Sequence, residues 1–145
     1  MTQLQPQRGA IPAPQPSGLS APFWDACQRG ELMFQRCGDC GAATHTPAFI
    51  CSQCASRALA WERSSGHGTI YSWTVVWRPQ IPAFEVPYAP IIVDMDEGWQ
   101  MLSNLVGCDV DAAVVGLPVA VEFHAVESGF QLPYFAPRAR VSPPR

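Results

Sequence analysis

The feature that most constrains this chain is a doubled cysteine pattern, Cys37-x-x-Cys40 and Cys51-x-x-Cys54, with ten residues between the pairs. A C-x-x-C turn brings two thiolates to one point while backbone N–H groups face the sulfurs. Two such turns together offer a tetrahedral four-sulfur site, the coordination zinc or a single iron prefers. Gly38 and Gly41 ease the first turn, whereas Ala55 stands where the second would be more comfortable with glycine. Four protein ligands leave no position open for water or substrate, so the spacing predicts a structural zinc, one per chain. An electron-carrying iron of the rubredoxin kind is the alternative. A lobe of about thirty residues with little core of its own needs such a staple.

The six cysteines in 145 residues also bear on compartment. Residues 1–21 hold no apolar segment of signal-peptide type. A cytoplasmic chain with metal-bound and buried thiols is expected, not a disulfide framework. Cys27 and Cys108 stand alone and read as small buried hydrophobes. The chain has no lysine, which excludes Schiff-base and P-loop chemistry that requires one. With a net charge of −3, nucleic acid is not an expected partner. Nor is a membrane, since no apolar run is long enough to span one.

Residues 1–18, rich in Pro and Gln, read as a flexible arm, and residues 137–145 as an Arg/Pro tail. Residues 19–66 form a unit of short helix plus metal ribbon. The helix is predicted at 20–30, with Ser20 as N-cap, Pro22 in the first turn and Gly30 as the stop. Its Phe23 and Trp24 need cover, from the chain's own core or from a partner protein. Strands are predicted at 32–35 and 59–63 on either side of the metal site.

Residues 67–136 read as strands at 69–78, 88–94, 99–105, 119–126 and 130–135, with a helical turn near 109–115. Five strands with a short helical link before the fourth suit an OB-type barrel; a small sandwich is the competitor. The predicted fold class is mainly β: a short N-terminal helix, a rubredoxin-like zinc ribbon and a C-terminal five-stranded OB barrel. Trp73 and Trp77, on one face with Tyr71 and Val75, fit a barrel core; a stacking platform for an adenine ring is the rival. The loop 79–87 is proline-rich and carries Ile81 and Phe84, so with Phe23 and Trp24 it is the expected partner-binding surface. His45, His67 and His124 belong to no catalytic pattern, and no complete catalytic set is present.

The order of these pieces resembles one family. The stretches that carry the likeness are Pro22-Phe23-Trp24, 32–41, Pro47, Cys51-x-x-Cys54, Trp61, Gly68-Thr69-Ile70-Tyr71-Ser72, Val86-Pro87-Tyr88, Asn104-Leu105-Val106-Gly107-Cys108 and Gly116-x-Pro118-Val119. They resemble the zinc-ribbon/OB-fold family known as domain of unknown function thirty-five, over residues 20–137. The resemblance implies an acyl-CoA-associated accessory subunit that pairs with a thiolase-like enzyme, which carries the catalytic residues. Settings implied are steroid side-chain cleavage, mevalonate synthesis and acyl transfer, with acyl-CoA at the shared interface of a hetero-oligomer. A freestanding acyl-CoA-binding module and a nucleic-acid-binding ribbon are the alternatives. His45-Thr46-Pro47-Ala48-Phe49 departs from the family, where an aromatic, two prolines and often an Arg stand. No residue is assigned to CoA.

Overall fold

The computed structural model describes residues 2–138. Helix α1 spans Ala21–Gln28, and Ser20 precedes it as the cap residue without a side-chain capping bond. A three-stranded antiparallel sheet follows in the order β2-β1-β3, from β1 (Met33–Cys37), β2 (Ala43–Thr44) and β3 (Leu59–Arg63). The barrel is built from β4 (His67–Trp73), β5 (Ala89–Met95), β6 (Gln100–Leu105), β7 (Pro118–Ala125) and β8 (Gln131–Pro137). It closes in the order β4-β5-β6-β8-β7, with a single 3₁₀ turn, Val110–Ala112, before β7. This is the OB arrangement predicted from the strand count and the helical link.

Alternation explains the closure. In β5, Ala89, Ile91, Val93 and Met95 face inward and are buried, while Pro90, Ile92 and Asp94 face outward. Ile70, Met101, Leu105, Val119 and Phe135 complete the interior from the other four strands. The one weak seam is β6–β8, a parallel contact with the single pair Leu105↔Phe135. Pro133 has no N–H to give, so β8 cannot continue that ladder toward Gln131.

Three expectations are corrected. Residues 1–18 are not a free arm: Leu4 is completely buried, and its N–H donates to the Cys108 carbonyl at 2.8 Å while its carbonyl accepts from Gly107 N–H at 2.9 Å. The Gln7 side chain pairs in both directions with the backbone of Glu85, at 3.0 and 2.8 Å. Local composition hides this, because every partner lies at least 78 residues away.

The strand expected at 69–78 stops as a regular element at Trp73 and carries a register shift between Ile70 and Ser72. Gly68 and Ile70 form the buried face of β4, so Tyr71 and Trp73 fall on the outward face; Tyr71, Trp73 and Trp77 are 55%, 44% and 60% exposed and not barrel core.

Phe23 is 5% exposed and packs edge-on to Trp24 and against His45, so it is core and not a surface anchor. Of the other expected partner residues, Trp24 and Phe84 are half-buried, and Ile81 is exposed. The tail expected at 137–145 lies, beyond Arg138, outside the described residues.

Candidate metal centre

The first cysteine turn follows directly on β1, and the second lies in the loop between β2 and β3. Cys37 closes β1, and its carbonyl accepts from Gly41 N–H at 2.9 Å; Cys51 does the same with Ala55 N–H at 2.9 Å. The turns are thus near-copies, and each needs a left-handed residue at its end. Gly41 meets that need at φ +76°, but the second turn holds Ala55 at φ +61°. A side chain in that region costs about 1–2 kcal/mol, a strain the sequence already pointed to. Gly38 serves another purpose, since a Cβ there would sit 3.3 Å from the Ala58 carbonyl oxygen.

The four sulfurs lie within 4.8 Å of one another. Cys37 and Cys54 are 3.6 Å apart, as are Cys40 and Cys51. A tetrahedron with metal–sulfur bonds of about 2.3 Å has edges of about 3.8 Å. The cluster therefore fits a metal ion held by Cys37, Cys40, Cys51 and Cys54, with no room for a fifth ligand. Backbone N–H groups of Cys40 and Asp39 hold the Cys37 thiol down at about 6. Cys54 is pushed up to about 12: the Ser56 N–H lowers it, but the Cys37 sulfur, burial and the Cys40 and Cys51 sulfurs outweigh that. Sulfurs this crowded do not all ionise without a cation among them.

Beside the ribbon lies a joint the sequence did not reveal. Trp99, at the start of the β6 hairpin arm, stacks on Phe34 of the ribbon at 5.4 Å and meets His45 at 5.0 Å. Its indole N–H donates to Glu97 at 3.1 Å, and Glu97 in turn accepts from the Ser64 hydroxyl at 2.9 Å and from the Ser65 N–H. Although burial acts to raise it, these donors hold the Glu97 carboxyl below its usual range. One turn of the barrel thus grips the linker that leaves the ribbon.

His45 occupies this joint and is a packing residue. Burial drives its pKa down to about 4. At neutral pH it is uncharged in both folded and unfolded states, so it costs nothing. As pH falls through about 6.5 the unfolded chain takes up a proton that the folded chain refuses until about 4, and stability is lost across that window. Between pH 7 and pH 5 the expected loss is about 2 kcal/mol. It is read as the difference in urea unfolding between the native chain and His45→Leu, which cancels the metal ligands' own titration. Equal acid sensitivity of the two proteins would refute it.

The remaining candidate chemistry is inert. Burial pushes Cys27 up to about 12, and burial with the Asp109 charge raises Cys108. His124 is paired with Glu122 at 3.0 Å on the strand surface, and His67 opens β4, half-buried. Neither histidine hydrogen-bonds a nucleophile among the described residues, and the base beside His124 is Glu122 on the strand surface.

Comparison with known proteins accords with this architecture. Residues 24–60 match the family described as ChsH2, rubredoxin-like zinc ribbon domain, and residues 61–124 the family described as ChsH2, C-terminal OB-fold domain. The 3-oxo-4,17-pregnadiene-20-carboxyl-CoA hydratase alpha subunit of Mycobacterium tuberculosis is 34% identical over 114 residues, 79% of this chain and 36% of that protein. The chain therefore spans about a third of the length of such hydratase subunits. A DUF35 domain-containing scaffold protein of Methanothermobacter thermautotrophicus is 32% identical over 101 residues, 68% of this chain and 76% of its own. Among solved structures, a chain of the Ltp2-ChsH2(DUF35) aldolase superposes with a TM-score of 0.79 at 32% identity, covering 86% of this chain and 98% of that one. The shared ribbon, the shared barrel and these identities place the chain in the DUF35 family, with the rubredoxin-like zinc ribbon and OB-fold of ChsH2.

Proposed function

We propose that this chain is a non-catalytic accessory subunit of a thiolase-like enzyme that acts on acyl-CoA substrates, of the steroid side-chain aldolase or acyltransferase kind. The observation that carries the reading is the 32% identity to the DUF35 chain of the Ltp2-ChsH2 aldolase over 98% of that chain's length. The pregnadiene-carboxyl-CoA hydratase subunit supports the acyl-CoA and steroid class. The closed cysteine cluster and the raised thiols of Cys27 and Cys108 fit a subunit that leaves chemistry to its partner. The metal is a structural zinc, one per chain, and six unpaired thiols suit the reducing cytoplasm.

Exposed aromatic surface supports hetero-oligomer formation. Tyr71, Trp73 and Trp77, with Ile81 in the loop beyond them, are uncovered apolar groups on the barrel side of the molecule, and large aromatics left to solvent mark interaction surfaces. Trp24 and Phe84 add half-buried apolar area. Acyl-CoA would lie at the interface with the partner.

The test is affinity capture of the tagged, zinc-loaded chain from its host, with mass spectrometry of what is retained. A thiolase-like chain in stoichiometric amount is expected, and its yield should fall at least tenfold with the double substitution Trp73→Ala, Trp77→Ala. A folded bait that retains no such enzyme would overturn the reading.

A further inference from the structure

The barrel's weak seam opens into a cleft that the metal centre does not explain. Beyond the single Leu105↔Phe135 pair, β6 and β8 diverge, and the Ser103 hydroxyl reaches across to the Pro133 carbonyl at 2.8 Å. Above this gap lie Phe23 and Trp24 of α1, His45 of the ribbon, Gln7 of the arm and Phe84 of the proline-rich loop. Arm, helix, ribbon, loop and barrel thus each contribute to the wall. The cleft is open to solvent on one side and offers about 400 Å³, within the range of small-molecule sites.

Two properties of the lining restrict what fits. No Asp, Glu or Arg is among the lining residues, so an ion would enter without a counter-charge, at a large desolvation cost. The walls are dominated by Phe23, Trp24, Phe84, Leu102 and Leu132, which favour apolar surface. Against this background one polar atom stands out. The Oδ1 of Asn104, a residue that lines the cleft, is buried with no hydrogen-bond partner among the described residues. A buried acceptor left empty is costly, and a donor supplied by a guest would relieve that cost once the amide turns toward the cleft.

We propose that the cleft between β6 and β8 is a binding site for a neutral, largely apolar small molecule that carries an N–H or O–H donor for Asn104. All of its lining residues are this chain's own. It also gives a use to Pro133: a strand with an N–H at that position could extend its ladder and narrow the gap.

The probe that tests it is N-phenyl-1-naphthylamine, a neutral aromatic amine with one N–H whose emission rises in apolar surroundings. Titrated into the zinc-loaded full chain, it should show saturable binding at one site. Leu132→Trp, which fills the gap, should abolish that binding. Asn104→Leu should weaken it about five- to tenfold, the effect of one lost hydrogen bond. The N-methylated probe, which has no N–H, should bind the unsubstituted chain about five- to tenfold more weakly and be insensitive to Asn104→Leu. The proposal is overturned if no saturable rise is seen, or if a folded Leu132→Trp protein binds as the native chain does. It is equally overturned if the two probes bind the unsubstituted chain alike, for then water alone serves Asn104. That last comparison needs no variant, so it decides even if the substituted chains do not fold.

Discussion

Removing the metal with a strong chelator at neutral pH is expected to unfold the ribbon and to release close to one equivalent of zinc per chain. Binding of zinc by sites of this kind contributes on the order of 10–16 kcal/mol, while whole domains are stable by only about 5–15 kcal/mol. The ribbon has few other means of support. Its sheet consists of two five-residue strands and one two-residue strand, and its buried apolar residues are Leu32 and Phe34 beside two of the ligands. Cys51→Ser should act like the chelator, because Cys51 is buried and leaves no solvent route for a substitute ligand. Zinc release followed with a chromophoric indicator, together with near-ultraviolet circular dichroism, reads both events. A chain that keeps its tertiary signal after losing its metal would show that the ribbon is held by packing instead. A red preparation with iron in place of zinc would restore the electron-carrier alternative.

Trp99→Ala should be the most damaging single substitution outside the metal ligands, costing about 3–5 kcal/mol. Three groups lose a partner at once: the Phe34 ring, the His45 ring and the Glu97 carboxylate. For a chain of this size the melting temperature should fall by roughly 10–15 °C. Trp99→Phe separates the contributions, since it keeps a ring against Phe34 but removes the indole N–H. About 1 kcal/mol is expected for that loss alone. Thermal and urea unfolding of the three proteins would settle the matter, and a loss under 1 kcal/mol for Trp99→Ala would place the joint between ribbon and barrel elsewhere.

The contrast between Trp99 and the cysteines shows what a sequence makes legible here. Cys37, Cys40, Cys51 and Cys54 announce themselves because a C-x-x-C turn is a local device, complete within four residues, and its pairing is forced by one ion. Ile91 and Val93 are legible for a similar reason, since period-two alternation is a local property of a strand. Glu97 and Trp99 look like an ordinary hairpin turn, and their importance rests on Ser64 and Phe34, more than thirty residues upstream. Tyr71 and Trp73 mislead for the opposite reason. Their β-branched and aromatic neighbours give a strong strand signal, but alternation alone does not say which face turns inward, and it is Gly68 and Ile70 that are buried. The cleft was illegible altogether, because it lies where Pro133 withholds an N–H in β8 and its walls are drawn from six separate segments.

The docked arm sets an order on how the fold is assembled. Leu4 settles against Cys108, and Gln7 against Tyr134, 127 positions further along. Closing so long a loop is slow relative to local hairpins, and it repays its full entropy only once the strand that carries Tyr134 is in place. The arm is therefore expected to dock after the hairpins of ribbon and barrel have formed, and its docking ties the proline-rich loop to the finished barrel.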